Sequence, residues 1–213
     1  MRNSEHDIPG SGSSDGLGPS RAPNPESRVP KMRAFIAIDL PEDVHAALSR
    51  QQTEFRTASP DARWTRPEGI HLTLKFLGEI SDEKAREVTE ALKNCATFER
   101  FSVEVRGFGF FPDASRPKVF WAGVKAPPDL LQLAEQVERT MEALGFAREQ
   151  RAYSPHLTLA RFKIPGPQPA LKALVERRSD LSLGRFEVSE FFLFESRLSP
   201  HGAEYRNVAR FPK

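Results

Sequence analysis

The stretch Ile70-His71-Leu72-Thr73-Leu74-Lys75-Phe76-Leu77-Gly78 holds a tetrapeptide, His71-Leu72-Thr73-Leu74, that returns unchanged as His156-Leu157-Thr158-Leu159. Side chains at i and i+2 of a β-strand point to the same face. Each copy therefore presents a histidine and a threonine on one face, roughly 6.5–7 Å apart along the strand, and two leucines on the other. Leucine pairs follow from core packing. Packing does not require an imidazole and a hydroxyl at matched positions on both polar faces, so the duplication points to chemistry.

Histidine titrates nearest neutrality and can give or take a proton at pH 7. Displacement at a phosphodiester needs both steps: the attacking oxygen loses a proton and the departing oxygen gains one. Two histidines on opposite sides of phosphorus supply these in line, each contributing on the order of 10²–10⁴-fold in rate. The hydroxyls of Thr73 and Thr158 are suited to donate to the non-bridging oxygens. The other histidines read blandly: His6 in a tail, His45 on the surface of a helix, His201 in a turn. A metal site is disfavoured, because zinc takes three or four protein ligands and no helical pair of histidines four apart occurs. No Gly-x-Ser-x-Gly nucleophile elbow is present.

Outward from the repeat, Ala34–Ile38 reads as a buried strand and residues 41–56 as a helix opened by Pro41. The first repeat strand spans about 70–77 and ends at Gly78. Ser81 is a suitable N-cap for the next helix, followed by Asp82 and Glu83 in its first turn. Phe101, Val103 and Val105 alternate as a strand, residues 107–112 read as a bend, and 118–124 as a strand. A helix over about 128–144 ends at Gly145. The second repeat strand covers 156–163, a short helix 170–178, and strands near 185–196 and 203–210 close the chain. Strands alternate with amphipathic helices twice, one tetrapeptide in each half. The expected fold is α+β, two similar lobes with sheets facing each other and helices outside. A doubly wound sheet competes, but no glycine-rich phosphate loop accompanies it.

The 213 residues suffice for one substantial core. Lys and Arg number 31 against 29 Asp and Glu, a net charge of +2, so attraction for phosphate must come from local clustering. Cys95 is the only cysteine, which excludes an intramolecular disulfide and fits a reducing cytoplasm. No apolar run reaches the ~18 residues of a membrane span. Residues 1–30 are rich in Gly, Ser and Pro without periodicity and are expected to form a disordered tail, leaving 31–213 as a single domain. Met32 is the expected natural start of translation.

The paired His-x-Thr strings resemble the two-histidine phosphoesterases. The flanks, Met32–Ile38, Ile70–Gly78, Arg116–Gly123 and Ser154–Arg161, narrow the resemblance to the RNA 2′,3′-cyclic phosphodiesterases, also called 2′-5′ RNA ligases (the ThpR/LigT group). The likeness covers about residues 32–211. It implies a bilobal fold with pseudo-symmetric lobes, facing antiparallel sheets and the active cleft between them. It implies hydrolysis of an RNA 2′,3′-cyclic phosphate end to a 2′-phosphate, reversible as ligation, by a cytoplasmic monomer without metal or cofactor. RNA ends, tRNA fragments among them, are the implied partner; no membrane is. The resemblance puts the proton donor on His71 and the acceptor on His156, and makes Arg161 a candidate phosphate contact or, equally, a solvated or structural arginine. Arg161 lies five positions after His156, an odd offset that points away from the histidine face unless a bulge intervenes. Phe35 is a candidate to stack on a terminal base or, equally, a core residue. Arg66, Lys75, Arg151 and Lys163 are candidates for a positive field around RNA or plain solvated charges. Two alternatives stay open: a phosphodiesterase for small cyclic nucleotides or ADP-ribose cyclic phosphate, and a non-catalytic nucleotide- or RNA-binding module.

Overall fold

The computed structural model describes residues 31–95, 97–199 and 202–212. The tail expected over residues 1–30, His6 within it, and His201 lie outside the described residues.

Along the chain come β1 (Lys31–Ile38), α1 (Glu42–Ala58), the two-residue β2 (Arg63–Trp64), a 3-10 turn (Pro67–Gly69), β3 (Leu72–Ser81) and α2 (Asp82–Cys95). Then follow β4 (Phe101–Phe111), β5 (Val119–Lys125), α3 (Pro128–Ala143), β6 (His156–Arg161), α4 (Pro169–Arg177), β7 (Ser182–Val188), β8 (Phe191–Ser199) and β9 (Gly202–Phe211). The backbone N–H of Lys84 donates to Ser81 Oγ at 3.1 Å, the cap expected for α2.

The strands form one curled sheet of order β7-β4-β5-β6-β3-β1-β8-β9, with β2 added on β6. Every pairing is antiparallel, which excludes the doubly wound alternative. The two expected lobes correspond to the half-sheets β7-β4-β5-β6 and β3-β1-β8-β9. They meet at a single facing pair, Leu72 opposite Leu157. Each half contributes one copy of the repeated tetrapeptide to this seam.

Two helices cross it. α1 follows β1 but packs with α4 against the β4–β7 half, where Phe55 sits edge-on to Phe108 and Phe120. α3 follows β5 but packs with α2 against β3. On the helix side of the sheet Ala34, Ile36, Ile38, Leu72, Leu74, Leu157 and Leu159 are at most 6% exposed. Each buried leucine contributes roughly 1.5–3 kcal/mol. The repeat's leucines thus anchor the strands, and its polar residues leave from the other face.

Two glycines behave differently from expectation. Gly78 does not end β3; it sits inside the strand opposite Ala34 with φ 74°, where the register with β1 shifts. Gly107 likewise lies within β4 at φ 68°, beside a register shift, so residues 107–111 continue the strand instead of forming a loop. Glycine adopts this left-handed backbone without a Cβ penalty, so it bends a paired strand where a bulkier residue would break it.

Candidate active site

Stepping one residue in opposite senses from Leu72 and Leu157 gives the neighbouring facing pairs of an antiparallel ladder. His71 therefore lies beside Thr158, and Thr73 beside His156. All four leave the sheet on the face opposite the leucines. The histidines occupy diagonal corners of this square, ~7–8 Å apart at the backbone. The sequence brings them together by using the same parity on both central strands.

His71 sits one residue before β3, two residues after the 3-10 turn. Its ring stacks on Phe35 with centroids 4.4 Å apart and meets Tyr205 edge-on at 5.1 Å. Burial among these rings pushes its pKa down to about 4. A hydrogen bond to the Gly69 carbonyl and the charge of Asp39 oppose that shift, while Arg161 reinforces it. Asp39 is itself held below the usual carboxylate range by the neighbouring His45, whose Nε2 lies 3.8 Å from Asp39 Oδ1. The Asp39 carboxylate in turn raises the His45 pKa. His45 is thus not a free surface residue; it is half-buried beside the Asp39 carboxylate, whose charge reaches His71.

His156 opens β6. Its Nδ1 lies 2.7 Å from the Ser154 carbonyl, so Nδ1–H is the donor and Nε2 of the neutral ring carries the free lone pair. Phe111 packs edge-on at 4.9 Å. Burial, the largest influence, and the Arg161 charge lower its pKa below the ordinary value, while the Ser154 carbonyl opposes them. Tyr153 donates from its hydroxyl to the Thr73 carbonyl at 3.0 Å, tying the approach to β6 onto β3.

Arg161 returns to the histidine face because β6 carries a bulge. Its register with β5 slips between Phe120 and Trp121, and Leu159 and Ala160 both turn into the core at 0% exposure. One extra inward residue inverts the parity, so the odd offset becomes an even one. The bulge carbonyl, Leu159 O, accepts the Thr65 N–H at 2.9 Å and Gln52 Nε2 at 3.2 Å. Gln52 also donates to Thr65 O at 3.0 Å and is 1% exposed. It pins β2 and the bulge together from α1.

The other expected residues separate. Phe35 lies on the histidine face but is 3% exposed, sandwiched between His71 and Phe194. Its faces are already occupied, so it walls His71 and offers no platform to a base. Lys75 is not a solvated charge: it is buried, with Nζ 2.6 Å from Glu138 Oε1 and 2.9 Å from Ala147 O, fastening β3 to α3. Arg151 and Lys163 are exposed. Arg66 borders a large basic groove together with Arg161. Sequence reasoning passed over Tyr205, Phe194, Asp39 and Gln52. Nothing in their local sequence marks them, since each acts across the sheet or from a helix. Among the described residues, no three His, Cys, Asp or Glu side chains gather closely enough to hold a metal ion. The assembled groups are two imidazoles, two hydroxyls and a guanidinium, a set that can shuttle protons while holding a phosphate.

The family model for LigT-like phosphoesterases matches residues 38–121 and 124–205. An RNA 2′,3′-cyclic phosphodiesterase of Methanothermobacter thermautotrophicus is 33% identical over 182 residues, 85% of this chain and 98% of that protein. One from Archaeoglobus fulgidus is 34% identical over 180 residues, covering 84% and 99%. Among solved structures, a Thermus thermophilus protein superposes with TM-score 0.70 at 33% identity, covering 84% of this chain and 97% of its own. Escherichia coli LigT complexed with 3′-AMP gives TM-score 0.69 at 25% identity, covering 85% and 98%.

Proposed function

The chain belongs to the LigT-like phosphoesterase family, and on that premise we propose that it hydrolyses the 2′,3′-cyclic phosphate at the 3′ end of an RNA to a 2′-phosphate. The observation that carries the reading is the Leu72–Leu157 seam, which puts both His/Thr pairs on one face.

In this reaction His156 Nε2 takes a proton from water as the water oxygen attacks phosphorus. The bond from phosphorus to the 3′ oxygen breaks, and His71 delivers a proton to that oxygen. The product carries a 2′-phosphomonoester and a 3′-hydroxyl. Both histidines then re-equilibrate with solvent. The depressed pKa of His156 suits a base, because the ring is neutral at pH 7. His71, at about 4 in the protein alone, holds a proton at neutral pH only with an anion against it. The phosphodiester is that anion; the Asp39 charge is already part of the balance that leaves His71 at about 4. Thr73, Thr158 and Arg161 hold the non-bridging oxygens as charge builds on them. In the ligating direction the histidines exchange roles by microscopic reversibility. No metal or cofactor takes part. A cytoplasmic monomer acting on RNA ends, tRNA fragments among them, completes the reading; the single cysteine supports the compartment.

Steady-state turnover of a cyclic-phosphate oligoribonucleotide tests it. Activity should persist in EDTA, and His71→Ala and His156→Ala should each lower kcat by roughly 10²–10⁴-fold. A variant with unchanged turnover removes that histidine from the mechanism. Loss of activity in EDTA from still-folded protein contradicts the metal-free route.

A further inference from the structure

The backbone ladder between the two histidine strands amounts to one facing pair, Leu72 with Leu157. Residues 146–155, the approach to His156, form neither helix nor strand. Ladder and loop alone therefore do little to fix where His156 stands relative to β3. Two hydrogen bonds carry the approach onto that strand. Lys75 Nζ donates to the Ala147 carbonyl at 2.9 Å near its start, and the Tyr153 hydroxyl donates to the Thr73 carbonyl at 3.0 Å near its end. Lys75 Nζ also lies 2.6 Å from Glu138 Oε1 on α3, and the same oxygen accepts the Glu149 N–H at 2.7 Å. Strand, helix and approach are thus joined in a closed circuit with Lys75 at its centre.

Lys75 reaches this place through a bulge. Parity counted from His71 puts it on the histidine face, but the register with β1 slips between Ile36 and Ala37, opposite Leu74. Leu74 and Lys75 both turn inward, at 6% and 7% exposure. The second repeat bulges at the same place, turning Leu159 and Ala160 inward. One repeat thus puts alanine where the other buries a lysine, so packing alone does not call for the charge. A buried ion pair adds little stability, because desolvating both charges offsets most of their attraction, but it can hold its partners in one geometry. We propose that Lys75 is a positioning residue for the reaction: through Glu138 and the Ala147 carbonyl, and together with Tyr153, it holds the approach to β6 so that His156 stands beside Thr73, in line for proton transfer. This rests on the role of His156 as base in the function proposed above.

The test uses the double variant Lys75→Met with Glu138→Leu. It replaces both buried charges by apolar groups of similar size, an exchange that is often neutral or stabilising. Its urea midpoint should match or exceed the parent's. On a cyclic-phosphate oligoribonucleotide kcat should still fall at least about tenfold with KM little changed, since a misplacement of about 1 Å can cost 10²-fold. A second readout needs no turnover: ¹H–¹⁵N NMR titration of the histidine rings. Burial holds the His156 pKa below its ordinary value, so a loosened approach that admits water should move it up toward that value. The acid limb of kcat/KM should move up with it. The variant removes one charge of each sign, and Arg161, whose charge also depresses His156, is unchanged. Tyr153→Phe, which removes one hydroxyl, should shift both readouts in the same directions. Leu130→Ala, a truncation at the N-terminal end of α3, should lower stability with kcat and the His156 titration unmoved. Unchanged kcat and an unchanged His156 titration in the folded double variant overturn the positioning role. So does a fall in kcat with the titration unmoved, because His156 has then kept its surroundings. A double variant that unfolds assigns the pair to stability and overturns it as well. If wild-type protein does not turn over the cyclic phosphate but the double variant still raises the His156 pKa, the clamp stands and the catalytic reading falls.

Discussion

At the residue scale, His71 is governed by two opposed influences, the apolar rings that surround it and the charges that reach it. Phe35 and Tyr205 remove water and disfavour the imidazolium; Asp39 and the Gly69 carbonyl restore part of its stability. Its folded pKa of about 4 lies below the ordinary 6.5. The unfolded chain therefore binds more protons between those values. This group's contribution is complete above pH 6.5 and is lost as pH falls toward 4, up to about 3 kcal/mol. His156 shifts in the same direction, whereas the raised pKa of His45 contributes stability at low pH that is lost as pH rises. Replacing His71 by Phe keeps the stack and removes the titration. Between pH 7 and pH 5, urea unfolding of His71→Phe should show a loss smaller than the parent's by on the order of 1–2 kcal/mol. Equal losses would mean that the ring is not held neutral by burial. The two histidines and their threonines were legible in the sequence because strand parity needs nothing beyond neighbours. The aromatic and carboxylate surroundings that set their pKa values come from β1, β8 and β9, and no local pattern announces them.

At the scale of elements, the bulge in β6 decides where Arg161 points. Parity read from an unbroken strand sends it to the wrong face. The bulge depends on partners far away in the chain: β2, which pairs with Arg161 and Ala160, and Gln52 on α1, which caps the Leu159 carbonyl. A buried glutamine in a helix looks like any polar residue on an amphipathic pattern until its partners are seen. Replacing Gln52 by Met removes two hydrogen bonds and should cost about 1–3 kcal/mol in urea unfolding. KM for the cyclic substrate should also rise roughly tenfold or more as Arg161 loses its aim. Val44→Ala, a truncation of a buried side chain on the same helix, should lower stability with KM unmoved. If both variants shift KM alike, Gln52 acts through general stability alone and does not position Arg161. Gly78 and Gly107 show a similar dependence on partners. A glycine in a strand pattern marks a change of direction, and only the pairing shows whether the strand stops there or bends.

At the scale of the whole molecule, the seam between half-sheets is narrow, one facing pair, yet the halves are locked by α1 and α3, each packed on the half it does not flank in sequence. Amphipathic periodicity located both helices to within a few residues but could not say which sheet each would cover, since an apolar stripe carries no address. The exchange holds the two histidine strands in one register, and a proton relay needs that fixed spacing. The most direct test of this arrangement is product analysis in ¹⁸O-labelled water, using a cyclic-phosphate oligoribonucleotide with wild-type, His71→Ala and His156→Ala protein. Wild-type protein should give a 2′-phosphomonoester carrying one ¹⁸O, and either variant should show near-complete loss of that product. A 3′-phosphate product, or a 2′-phosphate formed at the wild-type rate without one of the histidines, would contradict the two-histidine mechanism.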